Sequence, residues 1–466
     1  MPKESVKAPP AQTLKIMGAR NNQNAQRRHR FAHLIFAFDQ VTDTPVQAQW
    51  QYQGDADWTL GMAWEDTQPD RSLSVRLGGG ETITLNPVNI TGNGHILSGG
   101  RTGAYVALRK DGSIVAWGDP ATGGEAEFSS PLVNIVEVSS TESAFAARNA
   151  QGEIFAWGNP AHGGSTGDVA TTGFARVIGN AQAFAGVKAN ASLVAWGNPI
   201  LGGKLPPELV DYTDIRSVSS TDRSFAALRS TGHVIAWGSS DWGGELPAEL
   251  QELNDIVQVI GNAGAFAALR KHAQGDQLVA WGNAFNGGDL PAELRDDLGG
   301  KKLCCVTDNA FAALREDGRV IVWGNDDADP PPMQGVISIC ATDTAFAALQ
   351  TDGHVIAWGG TSDSGGVVPA PIGALDDIVQ LASSRRAFAA LRRNGKVVAW
   401  GDPGSGGVIG GAEDALVDVR AIYANARSFL ALTATGGVVT WGLSTAGGDS
   451  NTQQPELAGK VLYQLA

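Results

Sequence analysis

Residues able to do chemistry are sparse in this chain, and few stand at spacings that serve a reaction. His29 and His33 are four apart, an interval that puts two imidazoles on one helical face as metal ligands. The run that follows reads as a strand, which favours surface or edge histidines instead. Cys304, Cys305 and Cys340 are the only cysteines, an odd set with two adjacent, so they form no disulfide framework. Cys305 and Cys340 each stand five residues before the Ala of an AFAAL run. That equivalence reads as two small buried hydrophobes, with redox or metal chemistry as the alternative. His233 and His354 likewise share a position after a turn, which repeat inheritance explains better than catalysis. The chain has no phosphate loop, no Gly-x-Ser-x-Gly elbow, no His-Glu-x-x-His and no Cys-x-x-Cys. The expectation is a non-enzymatic protein with no catalytic residue, cofactor or metal.

What must be positioned is therefore a scaffold. The pair Trp-Gly recurs at Trp117, Trp157, Trp196, Trp237, Trp281, Trp323, Trp358, Trp400 and Trp441, at intervals of 35 to 44 residues. A repeat of this length with a Trp signature is the pattern of a β-propeller. Before each Trp comes an aromatic-small run such as AFAALR from Ala310. Between the two lies a turn, clearest at Asp111-Gly112, Asp317-Gly318, Asp352-Gly353 and Asn394-Gly395. Asp-Gly and Asn-Gly suit the positive φ of tight turns, so run and Trp segment form a β-hairpin. A third apolar run upstream, such as DIVQVIG from Asp255, makes a unit of three strands with room for a weak fourth.

In VIVW, Val320 and Val322 face one way and Ile321 and Trp323 the other, yet all are apolar. Such a strand expects burial on both sides, which radially packed sheets supply. The Ala residues of AFAAL allow close approach on one side, and the Phe fills the wider gap. The nine Trp are thus structural anchors. After Trp-Gly the chain passes through variable residues to Gly-Gly in eight units, as at Gly243-Gly244 and Gly365-Gly366; after Trp323 it reads NDDADPPPMQG and Gly-Gly is absent. We expect a loop with a short helical turn there, linking blade to blade.

The alternation of faALr.dG.vvaWG with a Gly-Gly loop resembles the RCC1-type repeat in its short-blade bacterial form, similar to the repeats of type II β-lactamase inhibitory proteins. The resemblance covers roughly residues 93 to 466. It implies an all-β propeller of about nine three- to four-stranded blades, where related rings usually close with seven. The final KVLYQLA, from Lys460, matches the first strand of a tenth unit and could pair with the opening unit as a clasp. Residues 1–92 lack the repeat and read as a small β-rich domain, or as extra strands packed on the propeller.

Composition sets the wider frame. The 466 residues are 43% hydrophobic and 18% charged, as in a folded soluble protein, and Gly supplies 60, about twice average usage. A net charge of −14 argues against nucleic acid. The basic knot Arg27, Arg28, His29 and Arg30 reads as a solvated loop or a local anionic contact. The N-terminus has no apolar core of signal-peptide length, and no apolar run is long enough to span a bilayer. The expected location is cytoplasmic, or outside the cell by a route without a cleaved leader.

Function is sought where the repeat varies. The four residues before Gly-Gly read DPAT, NPAH, NPIL, SSDW, NAFN, DPGS and LSTA, and equivalent loops of a propeller emerge on one face. His162, Ile200, Leu201, Trp242 and Phe285 are the side chains there best suited to anchor a protein partner, with Asp326, Asp327 and Asp329 adding acidity in the departing loop. A protein-binding module is the first reading. A secreted toxin-associated or host-directed effector is the second, since RCC1-like repeats occur in such proteins, and guanine-nucleotide exchange is a third and weaker implication of the resemblance.

Overall fold

Each Trp-Gly unit folds as one three-stranded antiparallel sheet, nine in all among the described residues. The computed structural model describes residues 13–20, 34–78, 80–87, 89–94, 102–272, 275–295, 301–324 and 329–465. The sheets are blade 1 (90–118), 2 (135–158), 3 (174–197), 4 (215–238), 5 (256–282), 6 (301–324), 7 (336–358), 8 (378–401) and 9 (419–442). In every blade the upstream run is the inner strand, the aromatic-small run the middle strand and the Trp run the outer strand. Among the described residues these sheets have no fourth strand. Inner strands meet in sequence around the ring, and the inner strand of blade 9 meets that of blade 1, Ile90–Gly92.

The turn between middle and outer strands differs in detail from a hairpin in which both central residues take positive φ. In blade 6, Gly318 has φ of +79° while Asp317 stays out of the left-handed region. The Asp317 carboxylate instead accepts from the Arg319 N–H at 3.1 Å. The Asp therefore works through its side chain as an Asx turn, and only the Gly needs the unusual backbone.

Alternation along the strands assigns each side chain to one seam. Val320 and Val322 pack with Ala310 and Ala312 against Phe346 and Trp358 of blade 7. Ile321 and Trp323 pack with Phe311 against Ala265 and Ala267 of blade 5. The small residues of one blade thus receive the large rings of the next, and the Phe rings of the middle strands are fully buried. Burying one such side chain contributes about 1.5–3 kcal/mol. Within each blade the middle-strand aromatic stacks on the outer-strand Trp at 5.1 to 5.4 Å, with Tyr105 taking the Phe position in blade 1.

Residues before blade 1, joined by the C-terminal strand, build two further sheets. One joins Leu14–Met17, Leu34–Asp39 and Ala63–Glu65. The other, of five strands, runs Gln464–Leu465, Thr82–Leu85, Leu73–Arg76, Ala48–Tyr52 and Thr59–Gly61. The C-terminal segment divides between the two: the Lys460 carbonyl accepts from the Lys110 N–H at the hairpin turn of blade 1 at 2.8 Å, as Asp377 accepts from Arg393 in blade 8, whereas Gln464 lies opposite Leu85 and Leu465 opposite Thr84 in the N-terminal sheet. The edge it covers is that of the N-terminal sheet, where Asn86 and Asn89 also hold the Leu462 carbonyl through their side-chain amides at 2.8 and 2.9 Å. Trp50, Leu73, Val75 and Leu85 of this sheet share one core with Tyr105 and Trp117 of blade 1 and Leu430 and Leu432 of blade 9. A buried Arg20–Asp66 pair at 2.9 Å, with the Tyr52 hydroxyl donating to Asp66 at 2.8 Å, fixes the two sheets together.

Among the described residues no helix is long and apolar enough to cross a membrane.

Candidate interaction face

The ring has two faces. Hairpin turns between middle and outer strands mark one; the opposite face carries the inner-to-middle turns and, in the eight units with Gly-Gly, the turn that follows Trp-Gly. That second turn is a single 3-10 turn closed by the first Gly of Gly-Gly, as in Ser240–Trp242 capped by Gly243.

Gly243 shows why Gly-Gly is required. Its φ is +85°, and an added Cβ would stand 2.7 Å from the Phe266 ring of blade 5. Its carbonyl accepts the indole N–H of Trp281, also of blade 5, at 3.1 Å. The same bond joins Trp157 to Gly123, Trp196 to Gly163, Trp237 to Gly202, Trp400 to Gly365 and Trp441 to Gly406, at 2.9 to 3.1 Å. Among the described residues the indole N–H of Trp358 finds no acceptor, and the segment that follows blade 6 is the one whose sequence lacks Gly-Gly. Trp323 also has no acceptor among the described residues, although its facing loop keeps Gly-Gly; Gly287 there sits farther from the next ring, with a hypothetical Cβ 3.1 Å from Phe311.

Two polar systems hold this face rigid, and neither stood out in the sequence. At the end of the inner strand an Asn, Thr or Ser ties turn to turn in every blade but the sixth, whose following turn lies outside the described residues. Asn262 accepts from the Ala265 N–H at 2.9 Å and donates to the Asn286 carbonyl at 2.6 Å. Asn180 does the same for Leu201, Thr342 for Ser364 and Asn425 for Ala446. Its signal was a recurring Asn, Thr or Ser three residues before the middle strand. Beside it runs a belt of backbone bonds, each turn donating to the next blade: Glu142 to Ala181, Ala181 to Asp222, Asp222 to Ala263, Ala263 to Asp308, Asp308 to Asp343, Asp343 to Arg385, Arg385 to Ala426 and Ala426 to Asn93, at 2.8 to 3.4 Å. A backbone pattern of this kind leaves no mark on residue type.

The 3-10 turn sorts the candidate residues. Its middle position points outward and its third inward. Ile200 and Phe285 hold the middle position in the turns after blades 3 and 5, at 76% and 59% exposure. Leu201, in the third position, is buried at 8%, so of the Ile-Leu pair only Ile200 is presented. His162 and Trp242 hold the same third position but are too large to be enclosed and stay half-buried. The His162 ring bonds the Ser143 hydroxyl. The Arg223 guanidinium lies over the Trp242 ring, 4.2 Å from its centroid. The structure thus places Ile200, Trp242 and Phe285 in the turns after three consecutive blades and sets His162 one blade before them. Asp326 and Asp327 lie outside the described residues, as do Arg27, Arg28, His29, Arg30 and His33. Asp329 is exposed and leads into Pro330–Pro332, which runs away toward the hairpin face.

A half-open cavity of about 880 Å³ lies on that hairpin face, between the Asp317–Val320 turn and the Pro330–Gly335 strap. Asp317 beside it is held at a pKa of about 2, chiefly by its hydrogen bonds with Arg319. No group of three His, Cys, Asp or Glu side chains suited to a metal ion occurs among the described residues. Cys305 and Cys340 are buried at matching register positions, opposite Ala312 and Ala347, with Cys340 bonded to Ser383 at 3.2 Å.

The N-terminal sheets meet the ring at the hairpin end. The Gly18 N–H donates to the Arg420 carbonyl at 2.8 Å, Lys15 donates to the Arg393 carbonyl at 2.8 Å, and Glu65 pairs with Lys302. Arg393 lies in the hairpin turn of blade 8, and Arg420 and Lys302 lie near the starts of the inner strands of blades 9 and 6.

No protein-family model and no curated protein matches the chain. Solved structures similar to it include Prp20p of Saccharomyces cerevisiae, at 15% identity and a TM-score of 0.39 over 73% of this chain and 94% of that one. Human WBSCR16 is similar at 13% identity and 0.35, over 89% and 97%. The ectodomain of the Physcomitrella patens receptor kinase CR4 is similar at 20% identity and 0.35, over 49% of this chain and 64% of its own length.

Proposed function

We propose that the chain is a non-enzymatic protein-binding module that holds its partner on the face carrying the Gly-Gly turns, around blades 3 to 5. The observation that supports this most is the exposure of Ile200 and Phe285 at one repeat position whose neighbours are locked by the inner-turn bonds. Large apolar side chains on a rigid frame lose little conformational entropy on binding and serve well as interface anchors. The opposite face is partly taken by the chain's own N-terminal sheets through Lys15, Gly18 and Glu65. Affinity capture from lysate and culture medium of the native organism tests the reading. Phe285→Ala and Trp242→Ala should each lose a partner that the parent chain retains, with unfolding transitions unchanged. Retention of every captured protein by both variants would remove this face from consideration.

A further inference from the structure

The charged groups around the anchors narrow the chemistry of what they bind. Asp241 occupies the outward position of the 3-10 turn between those of Ile200 and Phe285. Glu245 and Asp289 directly follow the Gly-Gly pairs after blades 4 and 5, and both are exposed. Three carboxylates therefore interleave with the apolar anchors on one arc of the ring. Lys204 holds the equivalent position after blade 3 and is exposed, so the arc carries three carboxylates against one ammonium, while the Arg223 guanidinium is engaged with the Trp242 ring. Any partner that buries Ile200 and Phe285 also strips water from these carboxylates, which is unfavourable unless the partner brings positive charge to them. The chain's net charge of −14 adds long-range attraction for cations.

We infer that the partner presents a cationic apolar protein segment, with aliphatic or aromatic side chains seated against Ile200 and Phe285 and Lys or Arg side chains answering Asp241, Glu245 and Asp289. This rests on the protein-binding reading of the same face. It predicts association that is fast at low salt and slows as salt screens the arc.

The probe is a random-peptide display library selected on the whole chain. Two variants serve as counter-screens: the double change Ile200→Ser with Phe285→Ser, and the triple change Asp241→Lys, Glu245→Lys and Asp289→Lys. All five positions are exposed, so both variants should keep the parent unfolding transition, which is checked first. Selected peptides should be rich in Lys or Arg beside aromatic or aliphatic residues, and each variant should weaken them roughly tenfold or more. Peptides that need Ile200 and Phe285 but show no cationic excess, or that ignore the triple change, would overturn the charge inference and leave the binding face standing. A library that yields no peptide dependent on Ile200 and Phe285 would overturn both.

Discussion

The indole N–H of Trp117, in blade 1, donates to the carbonyl of Gly447, beyond blade 9, at 3.1 Å and across 330 residues of chain. It is the same bond that joins Trp157 to Gly123 and Trp281 to Gly243 between consecutive blades. The ring is thus closed by the repeat's own interaction, with Tyr105 also donating across the seam to the Ser428 carbonyl at 2.8 Å. No strand has to be exchanged between the first and last blades to complete a sheet.

Gly447→Ala should weaken this closure more than Gly287→Ala weakens the seam between blades 5 and 6. Both positions have φ above +80°, which costs an Ala about 1–2 kcal/mol. At Gly447 the new Cβ would also stand 2.8 Å from Tyr105 and 3.3 Å from the Trp117 Nε1. At Gly287 the nearest atom is 3.1 Å away and there is no indole bond to disturb. Urea unfolding of the two variants compares them directly. Equal losses would mean that the indole bond adds nothing to closure.

Trp400→Phe and Trp358→Phe form a second matched pair. Both rings stack on a middle-strand Phe, at 5.2 and 5.3 Å, and both are buried. Trp400 donates to Gly365 at 2.9 Å, whereas Trp358 has no acceptor among the described residues. Replacing Trp400 leaves the Gly365 carbonyl without its donor and should cost about 1 kcal/mol more than the same change at Trp358. A larger loss at Trp358 would show that its N–H finds an acceptor in solution.

The propeller was legible because its determinants are residue types at fixed intervals. Nine Trp-Gly pairs, small-aromatic middle strands and Gly-Gly turns each report a local steric or packing requirement, so the three-stranded unit followed directly from them. The facing of Val320 and Val322 against Ile321 and Trp323 was legible for the same reason. The start of KVLYQLA was legible, since Lys460 bonds the opening blade at Lys110, but the destination of Gln464 and Leu465 was not, because an apolar pattern suits any sheet edge and the edge at Thr84–Leu85 lies almost the whole chain away. Leu201 was misplaced as a surface anchor because composition cannot distinguish the middle from the third residue of a 3-10 turn. The backbone belt from Glu142 to Asn93 is silent in sequence, since any residue supplies an N–H and a carbonyl.

Cys340 gives the ring a pH dependence on the alkaline side. Burial raises its thiol from 9.0 to about 11. A folded-state value above the unfolded one means that the neutral thiol is the form the fold accepts. Its contribution is complete below pH 9 and is lost as pH climbs toward 11, because the unfolded chain releases that proton first. Parent and Cys340→Ala proteins should differ in unfolding free energy by a constant amount below pH 9, and the gap should close or reverse above it. A gap that stays flat to pH 11 would show that the thiolate is tolerated in place.

Removing residues from Lys460 onward should loosen the N-terminal sheets before it opens the ring. Val461 and Tyr463 are buried, the Tyr463 hydroxyl donates to the Gly18 carbonyl at 2.7 Å, and Gln464 and Leu465 cover the Thr84–Leu85 edge. The deletion would expose that edge and strip apolar cover from Leu85 and Trp50, which share the same core. Loss of several buried side chains belongs to the large class of destabilisations, about 3 kcal/mol or more, whereas Tyr463→Phe removes one hydrogen bond and should cost about 1 kcal/mol. Hydrogen exchange at Thr84 and Leu85, with limited proteolysis before residue 85, reads the local effect, and exchange at Phe266 and Phe311 in the far blades serves as the internal reference. Fast exchange at the sheet edge with slow exchange in blades 5 and 6 is the expected pattern. Equal acceleration everywhere would mean that the terminal segment clasps the ring as a whole, because opening the seam between blades 9 and 1 would then be coupled to the loss of this strand.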